Sequence, residues 1–360
     1  MWDTHTVSWF IRRSAPGAAR RFREKMAMTP RASLHRTLLL LAAGALGGLF
    51  SGAAFAQGTA SPAWPSRPVR VIIPQPPGGV LDILIRALAE PLRQQFGHPV
   101  VVDNRPGGNN VVGLEACAGA APDGYTLCAV SAEVLSTYPL VEPALYARYS
   151  SIVPVTLIAR NAGVLLANPS VPAKDLREFV AWARTQTGLN YSSSGAGSTP
   201  NLLWEYIKQH DGLRIEHVPY RGIIEAFNEM AAGRVQVSYI ALGFALEPIA
   251  TGRVKPLAVL GSARSPRLPE VPSLGELGYA FPYDGPWWGF AAPAGTPAPV
   301  MDRIAAATRA ALQDPALRSR LLEPQAYEAV GNTPAEFAAI IEGERSRGAA
   351  IVRAAGIEVR

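Results

Sequence analysis

The residues of this chain that could do chemistry are concentrated in two glycine-containing loops. The first loop, residues 74–82, follows a short β-branched run at Val69–Ile73 and contains Gly78-Gly79. A helical period of apolar residues begins directly after the glycines, so unpaired backbone N–H groups are predicted at a helix N-terminus. Such a terminus favours an anion such as a carboxylate or phosphate. The alternative is an ordinary turn between a strand and a helix.

The second loop, residues 190–199, reads Asn-Tyr-Ser-Ser-Ser-Gly-Ala-Gly-Ser-Thr and also lies between a predicted strand and a predicted helix. It would place N–H and O–H donors at a second helix N-terminus, although Ser198 or Thr199 could serve only as the helix cap. Two facing loops, one from each of two lobes, could hold an acidic ligand without lysine or arginine. Because no general base accompanies them, this arrangement suits a binding protein better than an enzyme.

The common signatures of metal sites and of enzymes are missing. His98, His210 and His217 are isolated, and there is no Gly-x-Ser-x-Gly elbow, Gly-x-Gly-x-x-Gly fingerprint or Walker lysine. We therefore predict no metal, no cofactor and no catalytic residue. The alternative is an exported hydrolase-like enzyme acting on a carboxylate, with its nucleophile within residues 192–194 and His217 or Asp82 as the base.

The N-terminal segment has the features of a secretory signal. Arginines precede an apolar stretch at 38–50, and small residues end at a cleavage site after Ala56. The first residues form a doubtful extension, since Met26 or Met28 would begin a conventional leader. Removing residues 1–56 takes away eight of 34 Lys/Arg and two of 28 Asp/Glu, which leaves 26 of each and no net charge. The composition of the mature chain therefore does not favour nucleic-acid binding.

After a linker at 57–66, predicted strands and helices alternate, which indicates an α/β fold with ligands bound at the carboxyl ends of the strands. The strands are predicted at 69–73, 100–103, 125–130, 153–158, 163–167, 215–218, 235–240 and 257–260. The helices are predicted near 80–96, 110–119, 173–185, 200–209, 222–231, 243–250, 298–312 and 334–354. Cys117 falls in a predicted helix and Cys128 in a predicted strand, so two separately buried thiols are favoured. A disulfide between them remains the alternative.

The order of several short motifs resembles that of the Bug-type receptors, the extracytoplasmic solute-binding proteins of tripartite tricarboxylate transport systems. The motifs are Trp64-Pro-Ser-Arg-Pro-Val-Arg-Val-Ile-Ile-Pro74, Pro76-Pro-Gly-Gly79 with Asp82, Asp103-Asn-Arg-Pro-Gly107, Ala121-Pro-Asp-Gly-Tyr-Thr-Leu127, Asn168-Pro-Ser-Val-Pro172, His217-Val-Pro-Tyr-Arg-Gly222, Arg264-Ser-Pro266 and Ala292-Pro-Ala-Gly-Thr-Pro297. The resemblance extends from Trp64 to the C-terminus.

This resemblance implies a two-lobed periplasmic-binding-protein fold of the flytrap type, each lobe a mainly parallel sheet flanked by helices. Lobe 1 is expected at 64–160 plus 262–360 and lobe 2 at 161–261, with the second crossing near 260–264. The resemblance also implies a monomeric receptor in the periplasm that captures a small carboxylate and passes it to integral-membrane permease subunits. A receptor for a signalling histidine kinase is the alternative.

Carried over position by position, the resemblance implies twelve ligand-binding residues. They are Gln75, Gly78, Gly79, Asp82, Ser131, Ser194, Gly195, Gly197, Ser198, Thr199, Tyr220 and Arg221. Each has a structural alternative: Asp82 could only stabilise a helix N-terminus, and Arg221 could be a solvated residue at the rim. Where the family has small polar residues, this chain has Val80 and Leu81, and Tyr239 and Trp287 add further apolar groups. We therefore expect a carboxylate with an apolar or aromatic body rather than citrate.

Overall fold

The computed structural model describes residues 64–354 and 356–359, so the predicted signal peptide lies outside the described residues. Six strands form the first sheet. They are β1 (Val69–Ile73), β2 (Val100–Asn104), β3 (Thr126–Ser131), β4 (Ile152–Arg160), β10 (Trp287–Pro293) and β11 (Glu328–Ala329). Their order across the sheet is β11-β4-β10-β3-β1-β2.

Five strands form the second sheet. They are β5 (Gly163–Ala167), β6 (Leu189–Ser193), β7 (Ile215–Pro219), β8 (Val237–Ala241) and β9 (Lys255–Val259). Their order is β7-β6-β8-β5-β9. Of these, β6 was predicted only as the strand before the second loop, and β10 and β11 of the first sheet were not predicted.

Helices flank both sheets, and the eight predicted helices all occur with small shifts in their ends. They are α1 (Val80–Phe96), α2 (Val111–Ala118), α3 (Leu176–Ala183), α4 (Thr199–Asp211), α5 (Ile223–Ala231), α6 (Leu242–Ala250), α7 (Ala298–Ala311) and α8 (Pro334–Ala354). A run of short helical turns at 133–147, which was not predicted, follows β3. Over the described ranges, no helix has the length and apolar character needed to cross a membrane.

The α/β two-lobed fold class is confirmed, and both sheets are mixed. In the first sheet β1 pairs in parallel with β2 and β3, whereas β10 is antiparallel to β3 and β4. In the second sheet β6 is parallel to β7 and β8, whereas β5 is antiparallel to β8 and β9. Strands β5 and β10, which the chain enters on passing from one sheet to the other, run against their neighbours. A sheet built only from βαβ units would be parallel throughout.

The first loop is held by a core that its flanking elements share. In β1, Val69, Val71 and Ile73 are fully buried. In α1, Leu84 and Leu88 have no exposed surface, and Leu81, Ile85 and Leu92 continue the same face. Burying one such side chain contributes about 1.5–3 kcal/mol, so the apolar face fixes the helix on the sheet. The loop between β1 and α1 is therefore positioned at both ends.

The chain passes between the sheets at two adjacent places. The first passage is the direct step from β4 to β5, where Asn161 N–H donates to Pro286 O (2.9 Å) and Gly163 N–H donates to Asp284 O (3.3 Å). Residues of the 260–286 segment, including Leu274 and Tyr283, pack in the apolar core beside the second sheet. We therefore propose that the second passage lies near 284–286 rather than near 260–264. The physical reason is that this segment buries its apolar residues under the second sheet before it leaves.

The favoured interpretation of the cysteines was wrong, because Cys117 and Cys128 form a disulfide with an S–S distance of 1.93 Å and a Cα–Cα distance of 5.8 Å. Cys117 lies near the end of α2, and Cys128 lies in the middle of β3. Only residues 119–125 separate the two elements, and Gly124 adopts a left-handed conformation (φ +81°) in this turn. The chain therefore reverses its direction at once, which brings the end of the helix onto the strand.

Candidate functional site

A cavity of about 1010 Å³ lies between the two sheets, at the carboxyl ends of strands from both. The segments after β1, β2 and β3 contribute one wall, and those after β6, β7 and β8 contribute the other. This is the edge of an α/β sheet at which ligands bind. Both glycine-containing loops face the cavity.

The first loop presents a helix N-terminus to the cavity. Gly78 has a φ of +84°, which a residue with a side chain rarely adopts, and this conformation turns the chain into α1 at Gly79. Gly79 and Val80 both line the cavity. Within the described residues, nothing accepts a hydrogen bond from their N–H groups. These N–H groups at the positive end of the helix dipole are available to an anion.

Asp82 stabilises this loop from behind and does not line the cavity. Its carboxylate accepts hydrogen bonds from Gly78 N–H (2.9 Å), Arg86 Nε (2.9 and 3.0 Å) and Asn104 Nδ2 (2.9 Å). Burial alone would raise the pKa of Asp82, but hydrogen bonds from Arg86, Gly78 and Asn104 lower the pKa below its usual value. Asp82 therefore lies where its structural alternative places it, at the helix N-terminus, and its contact with a ligand stays a prediction.

The second loop differs, because its polar groups are largely satisfied within the protein. Gly197 N–H donates to Asn201 Oδ1 (2.9 Å), and Ser198 Oγ donates to Gly195 O (2.6 Å). Gly197 packs against Tyr138, so that an added Cβ would lie 3.3 Å from that ring. Neither Gly197 nor Ser198 lines the cavity, because their local hydrogen bonds turn them inward.

Glu133 fills the helix N-terminus of the second loop. Its carboxylate accepts a hydrogen bond from Ser194 Oγ (3.1 Å) and lies close enough to the backbone N–H of Thr199, the first residue of α4, for that group to affect its pKa. Pro200 follows and has no N–H to offer. Burial raises the pKa of Glu133 to about 6, although the hydrogen bonds from Ser194 and Thr199 oppose this rise. An acidic side chain thus takes the place that was predicted for an acidic ligand.

Two buried hydroxyl groups in residues that line the cavity have no hydrogen-bond partner among the described residues. They belong to Ser131 at the end of β3 and to Tyr239 in β8. Ser131 is 7% exposed and Tyr239 is 3% exposed. Burial raises the pKa of Tyr239 well above its usual value, and the nearby Glu133 contributes to the rise. Ser131 precedes Glu133 by two residues, and the charge of Glu133 affects the pKa of Tyr239, so both hydroxyl groups lie near this acidic side chain.

An apolar wall faces these polar groups. Trp287 and Trp288 of β10 line the cavity, and Trp287 is held by hydrogen bonds of 2.9 Å from its Nε1 to both carboxylate oxygens of Glu344. Ser136 Oγ also donates to Glu344, at 2.5 Å. Burial raises the pKa of Glu344. Helix α8 therefore fixes the orientation of one aromatic wall of the cavity.

Nine of the twelve predicted residues line the cavity. They are Gln75, Gly78, Gly79, Ser131, Ser194, Gly195, Thr199, Tyr220 and Arg221. Arg221 is exposed at the rim, where its backbone N–H donates to Glu225 Oε2 (3.2 Å). Of the apolar residues expected there, Val80, Tyr239 and Trp287 line the cavity, whereas Leu81 is buried in the core beside the first sheet. Sequence reasoning missed Glu133, although it follows Ser131 by only two residues.

Each candidate base of a hydrolase contacts a partner within the protein. His217 Nε2 is 2.5 Å from Ser193 Oγ, and Ser193 is fully buried and outside the cavity lining. Asp82 is engaged with Arg86 behind the first loop. Among the described residues, no group of three or more His, Cys, Asp or Glu side chains could hold a metal ion.

Replacing Glu133 by glutamine should change how stability depends on pH. The pKa of about 6 exceeds the usual 4.5, so the folded protein binds this proton more tightly than the unfolded chain does. The wild-type free energy of unfolding should therefore fall by about 2 kcal/mol more than that of Glu133→Gln between pH 4.5 and 7. Urea denaturation at several pH values measures this difference. Parallel pH profiles of the two proteins would contradict it.

Three comparisons place the chain among known proteins. Residues 84–357 match the model of the "Tripartite tricarboxylate transporter family receptor". BugT of Bordetella pertussis is 32% identical over 303 residues, covering 82% of this chain and 92% of BugT.

Two solved structures from Rhodopseudomonas palustris are also similar. One, Rpa4515 with adipate, has a TM-score of 0.75 at 29% identity and covers 82% of this chain and 99% of its own. The other, MatC with bound malate, has a TM-score of 0.74 at 28% identity and covers 80% of this chain and 100% of its own. The resemblance seen in the motifs is thus confirmed over most of the chain. The chain belongs to the tripartite tricarboxylate transporter receptor family, the Bug-type periplasmic binding proteins.

Proposed function

We propose that this chain is an exported receptor that captures a small carboxylate with an apolar or aromatic body and delivers it to membrane permease subunits. Residues 1–56 would direct export to the periplasm and be removed there. Closure of the lobes over the ligand would exclude water and strengthen the hydrogen bonds of the loop. The permease would then recognise the closed form.

One observation carries this proposal: the N-terminus of α1 opens into the cavity with the N–H groups of Gly79 and Val80 unpaired. Hydrogen bonds from these groups to a carboxylate are charge-assisted, which makes them stronger than neutral ones. The adipate and malate bound to the two R. palustris proteins are carboxylates, which supports the same ligand class here.

The apolar body of the ligand is inferred from the rest of the lining. Val80 lines the cavity together with Ile223 and Ile224 at the start of α5, and Trp287 and Trp288 add two indole rings. Burying apolar ligand surface against such walls contributes about 25 cal/mol per Å². A compact, fully polar acid such as citrate would leave these walls without a partner.

A screen of carboxylic acids by thermal unfolding tests the proposal. A ligand present at about 100 times its dissociation constant should stabilise the protein by about 2.7 kcal/mol. Acids with an aliphatic or aromatic body should stabilise it more than citrate does. A protein that responds to citrate but to none of the apolar acids would contradict the apolar body of the ligand.

Replacing Gly79 by proline should weaken carboxylate binding at least tenfold. The φ of −76° at Gly79 suits proline, so the substitution removes one N–H at the helix N-terminus without requiring a new φ at this residue. A hydrogen bond to a charged group contributes about 1.5–3 kcal/mol, and 1.4 kcal/mol corresponds to tenfold in affinity. Isothermal titration with the best acid from the screen measures the change.

Gly79→Ala is the matched control, because it keeps the N–H group. An added Cβ would lie 3.6 Å from Pro76 O and 3.8 Å from Gln75 Oε1, which are ordinary contacts. Equal affinities of the proline and alanine variants would show that this N–H does not hold the carboxylate.

A further inference from the structure

The two helix N-termini at the cavity are not equivalent. At α1, the N–H groups of Gly79 and Val80 have no partner among the described residues, whereas at α4 the carboxylate of Glu133 lies beside the N–H of Thr199. Ser194 Oγ donates to the same carboxylate at 3.1 Å. A ligand with two carboxylates would find one helix N-terminus open and the other occupied by an internal acid.

The charged residues that line the cavity also disfavour a ligand with two carboxylates. Among the described residues that line the cavity, Glu133 and Glu225 are acidic and Arg221 alone is basic. Arg221 is exposed at the rim and is therefore screened by solvent. A second ligand carboxylate beside Glu133 would be repelled at short range, and among the described lining residues only the solvent-exposed Arg221 could offset this repulsion.

The unpaired hydroxyl groups of Ser131 and Tyr239 are an independent sign of a polar ligand group. Both are more than nine-tenths buried, and both residues line the cavity. Buried polar groups normally have hydrogen-bond partners, so a ligand group that reaches these two hydroxyl groups when the lobes close would supply the partners that they lack. A hydroxyl group can accept as well as donate, so Ser131, Tyr239 and Glu133 together can receive a group that carries several N–H donors.

We propose that the ligand is a monocarboxylate whose far end carries an N–H donor, an ammonium group in the first place. Its carboxylate would lie at Gly79 and Val80, and its ammonium group at Glu133, Ser131 and Tyr239. This inference rests on the proposed function and names the substrate class of the same cavity. Glu133 is then the residue that makes the receptor reject dicarboxylates.

Four acids of equal length that differ only at the far end test the proposal. With a six-carbon chain these are 6-aminohexanoate, adipic acid monoamide, hexanoate and adipate, and the four- and eight-carbon series are measured beside them. Isothermal titration of the wild-type protein at pH 7.5 should show the amino acid binding at least tenfold more tightly than the dicarboxylate of the same length. The monoamide should lie between them, and the amino acid should exceed the simple monocarboxylate.

Glu133→Gln should reverse this order. Glutamine can still accept from Thr199 N–H and Ser194 Oγ but carries no charge, so the amino acid should lose at least tenfold in affinity and the dicarboxylate should gain about as much. The control is Glu90→Gln, which makes the same change of charge in an exposed ion pair with Arg93 outside the cavity. It should leave all four affinities within about twofold.

Tighter binding of the dicarboxylate by the wild-type protein would overturn this inference and leave the proposed function standing. Binding of the monoamide but not of the amino acid would contradict the proposal that the far end of the ligand carries an ammonium group. If none of the acids bound at any length, the proposed function would fail and this inference with it. The wild-type ranking alone decides the matter if Glu133→Gln does not fold.

Discussion

Replacing Trp204 by alanine is expected to lower the free energy of unfolding by about 3–5 kcal/mol, the usual cost of removing a buried tryptophan. Trp204 has no exposed surface and lies on the inner face of α4. Its ring stands edge-on to Phe179 at 5.7 Å and stacks on Tyr191 at 6.0 Å. The loss therefore removes both apolar area and aromatic contacts from the core beside the second sheet.

The same substitution should also weaken ligand binding, because Trp204 anchors the helix that begins at the cavity. Tyr191, on which Trp204 stacks, accepts a hydrogen bond from Asn201 Nδ2 (2.8 Å), and Asn201 Oδ1 in turn holds Gly197 N–H. A cavity left by the indole would loosen this chain of contacts and with it the position of Thr199. Urea denaturation without ligand gives the stability change, and titration with the best acid gives the binding change.

Trp204→Phe is the appropriate control. The indole Nε1 of Trp204 has no hydrogen-bond partner among the described residues, so phenylalanine sacrifices ring volume but no hydrogen bond. Its cost should be well below that of alanine, at roughly 1–2 kcal/mol. Equal losses for the two variants would mean that aromatic packing at this position is not what stabilises α4.

The first loop could be predicted from the sequence because its structure depends on neighbours in the chain. A β-branched strand, two glycines and an apolar helical period lie within residues 69–96, and each is a local signal. The spacing of four residues between Gly78 and Asp82 can also be read from the local sequence. The direction in which the Asp82 side chain points cannot. Whether the carboxylate turns toward the ligand or back to Gly78 N–H depends on Arg86 and Asn104, and Asn104 comes from another strand.

The presence of Glu133 at the helix N-terminus of the second loop could not be predicted from local sequence signals. Glu133 and Ser194 are distant in sequence and meet only because β3 and β6 lie in different sheets whose carboxyl ends face each other. The helical turns at 133–147 contain Pro139 and Pro143 and have no sustained apolar period, so they gave no signal of a helix. The rule that ligands bind at the carboxyl ends of strands could nevertheless have singled out Glu133, just as it singled out Ser131.

The disulfide also could not be predicted from local sequence signals. Periodicity places Cys117 in a helix and Cys128 in a strand, but it does not tell which face of the helix turns toward which strand. The short turn with a left-handed Gly124 decides that the two elements pack against each other. The spacing of the two cysteines therefore does not determine whether they pair. The packing of α2 against β3 brings them together.

Breaking this disulfide is expected to lower the free energy of unfolding by about 3 kcal/mol. The bond closes a loop with a sequence separation of 11, and a cross-link of this size restricts the unfolded chain by roughly that amount. Both cysteines are fully buried, so the two thiols formed on reduction, which need more room than bonded sulfur atoms, have to be accommodated within the core. The measurement is urea denaturation of the wild-type protein with and without a strong reductant.

The double variant Cys117→Ala/Cys128→Ala is the control, because reductant should then have no effect on the unfolding midpoint. Neither cysteine lines the cavity, so ligand affinity should stay within about twofold under conditions where the reduced protein remains folded. The cross-link nevertheless joins α2 to β3, and the end of β3 carries Ser131 and Glu133 into the cavity. A large loss of affinity on reduction would therefore mean that the disulfide sets the position of Glu133, and an unchanged unfolding midpoint would mean that α2 and β3 hold together without it.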